Sequence, residues 1–235
     1  MIERRPYQAL GAANHGWLDA RHHFSFGHYF DRNRMHWGNL RVWNDDIIAA
    51  QSGFDTHPHK EMEIITYVRK GAISHRDSLG NHGKTAAGDV QVMSAGSGIY
   101  HSEHNWEHED TTLFQIWILP TMESAKGEPS WGMRPFPKTD RAGKFVVLAS
   151  GMAGDEDALP IRTNARVVGA TIKAGDSVTY HFADAARYGY LVPAQGEVEI
   201  NGVRIEQGDG AAIHQESMIT VTALSDAEIV LVDTE

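Results

Sequence analysis

The stretch Phe54-Asp55-Thr56-His57-Pro58-His59-Lys60-Glu61-Met62-Glu63 places two imidazoles, His57 and His59, two residues apart. In a β-strand, side chains two apart share a face, so both rings can aim at one point. A second stretch, Ile99-Tyr100-His101-Ser102-Glu103-His104, repeats the spacing with an imidazole and a carboxylate, His101 and Glu103. If the two stretches lie side by side in a sheet, these nitrogen and oxygen donors form a set suited to a divalent first-row metal. Fe, Mn, Ni, Cu and Zn all accept such donors, so the residues leave the metal open. Four protein ligands on a six-coordinate ion leave two positions for substrate, water or oxygen. Pro58 has no N–H for a sheet ladder, which places His-Pro-His at a strand end or bulge. By parity, a regular strand running on through Ile64–Val68 would also turn Glu63 inward, beside the metal.

Around this centre the chain reads as strands and turns. Leu40–Ala50 suggests two short strands joined at Asn44-Asp45-Asp46. A glycine-rich hairpin loop, Ser78-Leu79-Gly80-Asn81-His82-Gly83, follows the first ligand stretch, and Ser94-Ala95-Gly96-Ser97-Gly98 bends just before His101. Thr112–Leu119 is apolar except at Gln115, which could orient a substrate or a ligand imidazole. Val42, Ile65, Phe114, Ile116 and Ile118 are candidate pocket walls. His15, His22, His23, His28 and His36 read as polar-tipped fillers. Thr121–Asp140 holds Pro129, Pro135 and Pro137 without periodicity, so a connection is expected there, between domains at 1–138 and 139–235.

Strand patterns recur beyond it, with Asn201-Gly202 as a hairpin turn. No amphipathic helix of three turns is present, so the fold expected is all-β. A weak repeat links the halves: Ile65–Val68 leading to Gly71 and Gly88-Asp89 is echoed by Gly189–Val192 leading to Gly196 and Gly208-Asp209. The second copy lacks the paired ligands and offers only isolated His181 and His214. One metal site and one metal-free partner domain are therefore expected.

Composition narrows the function classes. The net charge of −10 without a basic cluster argues against nucleic acid as partner. Twelve of the 14 histidines lie at or before His108, which locates imidazole chemistry in the first half. Cysteine is absent, excluding disulfides and thiol catalysis. No apolar run is long enough to span a membrane, and the opening residues lack a secretory apolar core. A cytoplasmic monomer is expected.

The motifs Gly53-x3-His57-x-His59-x3-Glu63-x7-Gly71 and Gly88-x5-Ser94-Ala95-Gly96-x4-His101 resemble those of the cupin superfamily. Asn14-His15-Gly16-Trp17, Thr56-His57-Pro58-His59-Lys60 and Met93–Glu103 narrow the resemblance to the pirin family, and most nearly to its bacterial quercetin 2,3-dioxygenase-like members. The resemblance spans most of residues 10–120. It implies two tandem cupin barrels, a bicupin. It also implies that the ligands are His57, His59, His101 and Glu103, with Glu63 left as a nearby group. The activity implied is cleavage of a flavonol such as quercetin with O2, releasing carbon monoxide, with Fe(II) as the expected metal before Mn, Ni, Cu or Zn. Glu103 or Glu63 would take the hydroxyl proton. The resemblance equally allows a non-enzymatic, iron-dependent regulatory protein, or a dioxygenase with a different aromatic substrate.

Overall fold

Short runs of β-branched and aromatic residues, each closed by a glycine or Asx turn, fold into 22 strands and no α-helix. The computed structural model describes residues 1–235. The first eleven strands are β1 (Ile2–Arg5), β2 (Gly11–Asn14), β3 (Leu18–His22), β4 (Leu40–Ile48), β5 (Ser52–His59), β6 (Glu63–Lys70), β7 (Ala72–Asp77), β8 (His82–Ala86), β9 (Val90–Ser94), β10 (Ile99–Asn105) and β11 (Thr111–Ile118). The other eleven are β12 (Ser130–Arg134), β13 (Val146–Ser150), β14 (Leu159–Pro160), β15 (Ala165–Ile172), β16 (Ser177–His181), β17 (Tyr188–Gln195), β18 (Val198–Ile200), β19 (Val203–Ile205), β20 (Gly210–His214), β21 (Met218–Ala223) and β22 (Ala227–Thr234).

The strands form two barrels of one topology. In the first, a seven-stranded sheet ordered β12-β9-β6-β11-β4-β3-β2 faces a four-stranded sheet ordered β5-β10-β7-β8. In the second, β1-β20-β17-β22-β15-β13-β14 faces β16-β21-β18-β19. The central strands correspond, with β6 matching β17 and β10 matching β21, while the edges differ: β2 pairs with β3 antiparallel and β14 with β13 parallel. The repeat seen in the sequence is this correspondence. Gly71 (φ 76°) and Gly196 (φ 77°) turn the chain after the matched strands in a conformation that side chains resist. At Gly196 a Cβ would also stand 2.3 Å from the Asp226 carbonyl oxygen.

The two large sheets pack against each other through 23 buried apolar residues. Among them, Ile65, Phe114 and Ile116 meet Val167, Val192 and Val230. Fully burying an aliphatic or aromatic side chain contributes about 1.5–3 kcal/mol, so this interface acts as a core that holds the barrels rigidly together. The chain also crosses between the barrels. β1 pairs with β20 at the edge of the second barrel's large sheet, and β12, inside the proline-rich connection, pairs with β9 at the edge of the first. Residues 2–5 therefore belong to the sheet of the second barrel, a long-range pairing without local signal. No helix is long and apolar enough to cross a membrane.

Two local expectations are corrected. Leu40–Ile48 is one continuous strand, not two joined by a turn, because it lies between β3 and β11 and two of its three central polar residues find buried partners. His22 pairs with Asn44 at 2.8 Å, and Asp45 is ion-paired with Arg69. Nor does Ile64–Val68 continue the ligand strand. Glu61 takes a left-handed φ of 53°, and the chain leaves the four-stranded sheet at His59 to enter the seven-stranded one at Glu63.

Candidate metal centre

The ligand stretches meet as neighbouring antiparallel strands. β10 pairs with β5 so that His101 lies opposite His57, and a bulge separates that pair from Glu103 opposite Phe54. β5 is the edge strand of its sheet, where Pro58 breaks no ladder. The three rings stand 4.5–4.9 Å apart, centroid to centroid. One nitrogen from each of His57, His59 and His101 lies within 4.8 Å of the others, a grouping able to hold a metal ion.

Hydrogen bonds set which nitrogens face inward. His57 Nδ1 lies 2.7 Å from the Asp55 carbonyl oxygen, so Nδ1 carries the proton and Nε2 keeps its lone pair. On the other strand the pattern is relayed. His75 Nε2 donates to Asp77 Oδ2 at 3.1 Å, leaving His75 Nδ1 to accept from His101 Nδ1 at 3.4 Å. His101 Nε2 is then free, and it stands 3.0 Å from His57 Nε2. Adjacent ligands on an ion with bonds of about 2.1 Å are themselves about 3 Å apart, so this pair fits a divalent cation. His75 is held flat against Trp131, with ring centroids 4.7 Å apart and planes 6° apart.

Burial, reinforced by the neighbouring imidazoles, lowers His59 to about 4 and His101 to about 3. Both rings are thus neutral near pH 7, the state in which imidazole binds metals. Glu103 is buried and tightly held. Gln91 Nε2 donates to Oε1 at 2.6 Å, Thr66 Oγ1 to the same oxygen at 3.3 Å, and Gln115 Nε2 to Oε2 at 2.6 Å. A carboxylate oxygen of Glu103 lies within 4.8 Å of donor nitrogens of His101 and His75, but Glu103 does not group as closely with His57 and His59. Gln115 therefore orients the carboxylate and not an imidazole.

All four residues line a cavity of about 190 Å³ between the two sheets of the first barrel. Its apolar wall includes Leu18, Phe26, Phe54, Ile64 and Trp117, and its polar wall His22, Asn44, Asp46 and Gln115. His22 is thus a pocket residue. His23 is buried elsewhere, 2.9 Å from the Tyr190 hydroxyl, while His15, His28 and His36 are exposed. A wider depression of about 580 Å³ is bordered by the ion pairs Lys173–Asp226 and Lys138–Glu228 and holds no histidine.

Glu63 does not reach the cavity. Its Oε2 accepts from Ser94 Oγ at 2.6 Å and from the Arg162 amide at 3.1 Å, on the face turned to the second barrel. The backbone reversal at Glu61 breaks the parity, so Ile64 faces the cavity instead. The expected pocket walls are corrected likewise: Ile65, Phe114, Ile116 and Ile118 belong to the interface between the large sheets, and Val42 is buried without lining the cavity. On β11 it is Gln115 and Trp117 that line it. His75, Asp77, Gln91, Asn44 and Asp46 escaped the sequence reading. Gln91 had a signal, a lone amide within Val90–Met93, of the kind that singled out Gln115.

Comparison with known proteins places this geometry. Residues 3–118 match the family model described as Pirin, and residues 147–234 match a model described as quercetinase C-terminal cupin domain. The chain is 64% identical over 233 residues to a pirin-like protein of Caulobacter vibrioides, covering 99% of each. It is 43% identical over 235 residues to a quercetin 2,3-dioxygenase of Escherichia coli, covering 99% of this chain and 98% of that one. It also matches the crystal structure of the bacterial pirin YhhW from Escherichia coli in complex with nickel(II). That match has a TM-score of 0.92 and 39% identity, and covers 100% of this chain and 99% of that one.

Proposed function

The chain belongs to the pirin family, and from that premise we propose that it is a metal-dependent dioxygenase cleaving a flavonol such as quercetin with O2 and releasing carbon monoxide. The observation that carries this reading is the set of three imidazoles converging at an apolar-walled cavity, with His57 Nε2 and His101 Nε2 3.0 Å apart. In this reading His57, His59, His101 and Glu103 hold one divalent cation, Fe(II) before Mn, Ni, Cu or Zn. When bound, such a cation would supply Lewis acidity that lowers the pKa of a substrate hydroxyl.

The chain's own residues supply the rest. Asp77 and His75 fix the tautomer of His101, and Gln91, Thr66 and Gln115 keep the Glu103 carboxylate in one orientation. Phe26, Phe54 and Trp117 offer flat apolar faces to an aromatic ring and exclude water from it. At about 190 Å³ the cavity is smaller than the roughly 300–1,000 Å³ of sites that enclose drug-sized ligands. One end of a flavonol enters, and the remainder rests at the mouth. Glu103 is the carboxylate assigned to receive the hydroxyl proton, since it lines the cavity and Glu63 does not.

The test is oxygen uptake with quercetin by protein loaded anaerobically with Fe(II). Uptake above the free-metal rate, with carbon monoxide evolved and both lost in His101→Ala, is the expected result. Full metal loading without uptake would favour a regulatory, non-enzymatic protein.

A further inference from the structure

The cavity wall opposite the imidazoles carries a carboxyl that the reaction above does not use. His57, His59 and His101 come from the four-stranded sheet, whereas Asn44 and Asp46 project from β4 in the seven-stranded sheet facing it. Asp46 is only 2% exposed, yet its Oδ1 has no hydrogen-bond partner, and no cation pairs with it. Its neighbour Asp45 is ion-paired with Arg69. Other buried acids are tied within the protein: Glu63 by Ser94, Glu103 by Gln91 and Gln115, Asp233 by Arg187 and Tyr180. Asp46 is the exception, and like Glu103 it lines the cavity.

A buried polar atom without a partner is costly, so its persistence beside a cavity points to a partner that arrives with the ligand. Burial, with Asp45 and Glu103 nearby, holds the Asp46 carboxyl well above the usual carboxylate range. A carboxyl oxygen at this position accepts a hydrogen bond from a substrate hydroxyl, and a protonated one also donates to a carbonyl oxygen. Asn44 beside it is locked by His22 at 2.8 Å, so the wall is preformed.

We propose that Asp46 is a specificity-determining residue that hydrogen-bonds a second oxygen substituent of the substrate, selecting rings with two adjacent oxygens over rings with one. This rests on the reading of the cavity as the substrate pocket. One oxygen addresses the imidazole cluster and its neighbour addresses Asp46. Sites built to pair a hydroxyl discriminate strongly against analogues lacking it, because the protein group is then left unpaired.

The test uses intact protein loaded with Zn(II), which is redox-inert, and two probes that fit one ring, catechol and phenol. Wild type, Asp46→Asn and Asp46→Leu are titrated with each. Asp46→Leu should weaken catechol by at least about tenfold while leaving phenol within about twofold, and Asp46→Asn should fall between, as expected when one hydrogen bond is lost and a neutral one is retained. Zinc stoichiometry should not change. A catechol-to-phenol ratio unaltered in both variants overturns the proposal, as does an equal loss for both probes or a loss of zinc. If Asp46→Leu fails to fold, the ratio in Asp46→Asn decides. An Asp46-dependent ratio in a protein that consumes no oxygen with quercetin overturns the dioxygenase reading alone.

Discussion

In the first barrel the buried side chains of β10 are Ile99, His101, Glu103 and Asn105; in the second, the matching strand β21 buries Ile219, Val221 and Ala223. Where β5 presents His57 and His59, β16 buries Val178 and Tyr180. Where β4 turns Asn44 and Asp46 to the cavity, β15 contributes Val168, Ala170 and Ile172 to an 18-residue apolar cluster. The central strand order is the same, yet one interior is a cavity with polar groups on an apolar wall and the other is filled. The difference shows how one fold divides its labour. The filled barrel and the shared interface supply apolar burial, and the first barrel can then hold buried imidazoles and acids that contribute little to stability.

The largest effect should come from removing the convergence itself. His57→Ala and His101→Ala are each expected to lower metal affinity by more than about 100-fold and to abolish oxygen uptake. His181→Ala and His214→Ala in the second barrel should leave both unchanged, as metal analysis after gel filtration would show. Next in size is the filled interior. Ile219→Ala should cost about 2–5 kcal/mol in denaturant unfolding without altering metal stoichiometry; a metal-deficient product would mean that the barrels do not divide their roles.

Smaller effects sharpen the boundary of the site. Gln115→Leu removes a donor from Glu103 and should weaken metal binding by about 10–100-fold in a competitive chelator titration. Glu63→Gln, whose carboxylate is engaged by Ser94 and Arg162, should not. The smallest effect concerns pH. His59 and His101 titrate at about 4 and about 3 in the folded protein, below the ordinary imidazole value. Metal-free folded protein thus binds fewer protons than the unfolded chain in that range, so their contribution to stability is full above about pH 6.5 and declines as pH falls toward 4. Thermal melts of the metal-free protein should show this decline, and the double variant His59→Ala/His101→Ala should make it shallower, with buried His22 and His23 supplying the remainder.

Much of this contrast was legible in the sequence because it rests on period-two spacing. His57 with His59, and His101 with Glu103, needed only a strand to share a face, and the glycines Gly71 and Gly196 marked the repeat. What was not legible depended on tertiary context. Asn44-Asp45-Asp46 carries turn propensity, which burial between β3 and β11 overrides. The pocket walls were misjudged on β11 because both of its faces are largely apolar, one toward the second barrel and one toward the cavity, so alternation carried no sign. Glu63 was misplaced by a single left-handed residue, Glu61. The pairing of Ile2–Arg5 with Gly210–Ile213 spans nearly the whole chain and leaves no local trace.

The most direct test of the convergence is an anomalous-scattering map from crystals of protein loaded with one equivalent of a divalent transition metal, collected at that metal's absorption edge. A single strong peak bonded to nitrogens of His57, His59 and His101, with none in the second barrel, is the expected result, and the same map decides whether Glu103 completes the set. A peak elsewhere, or none despite full metal loading in solution, would contradict it.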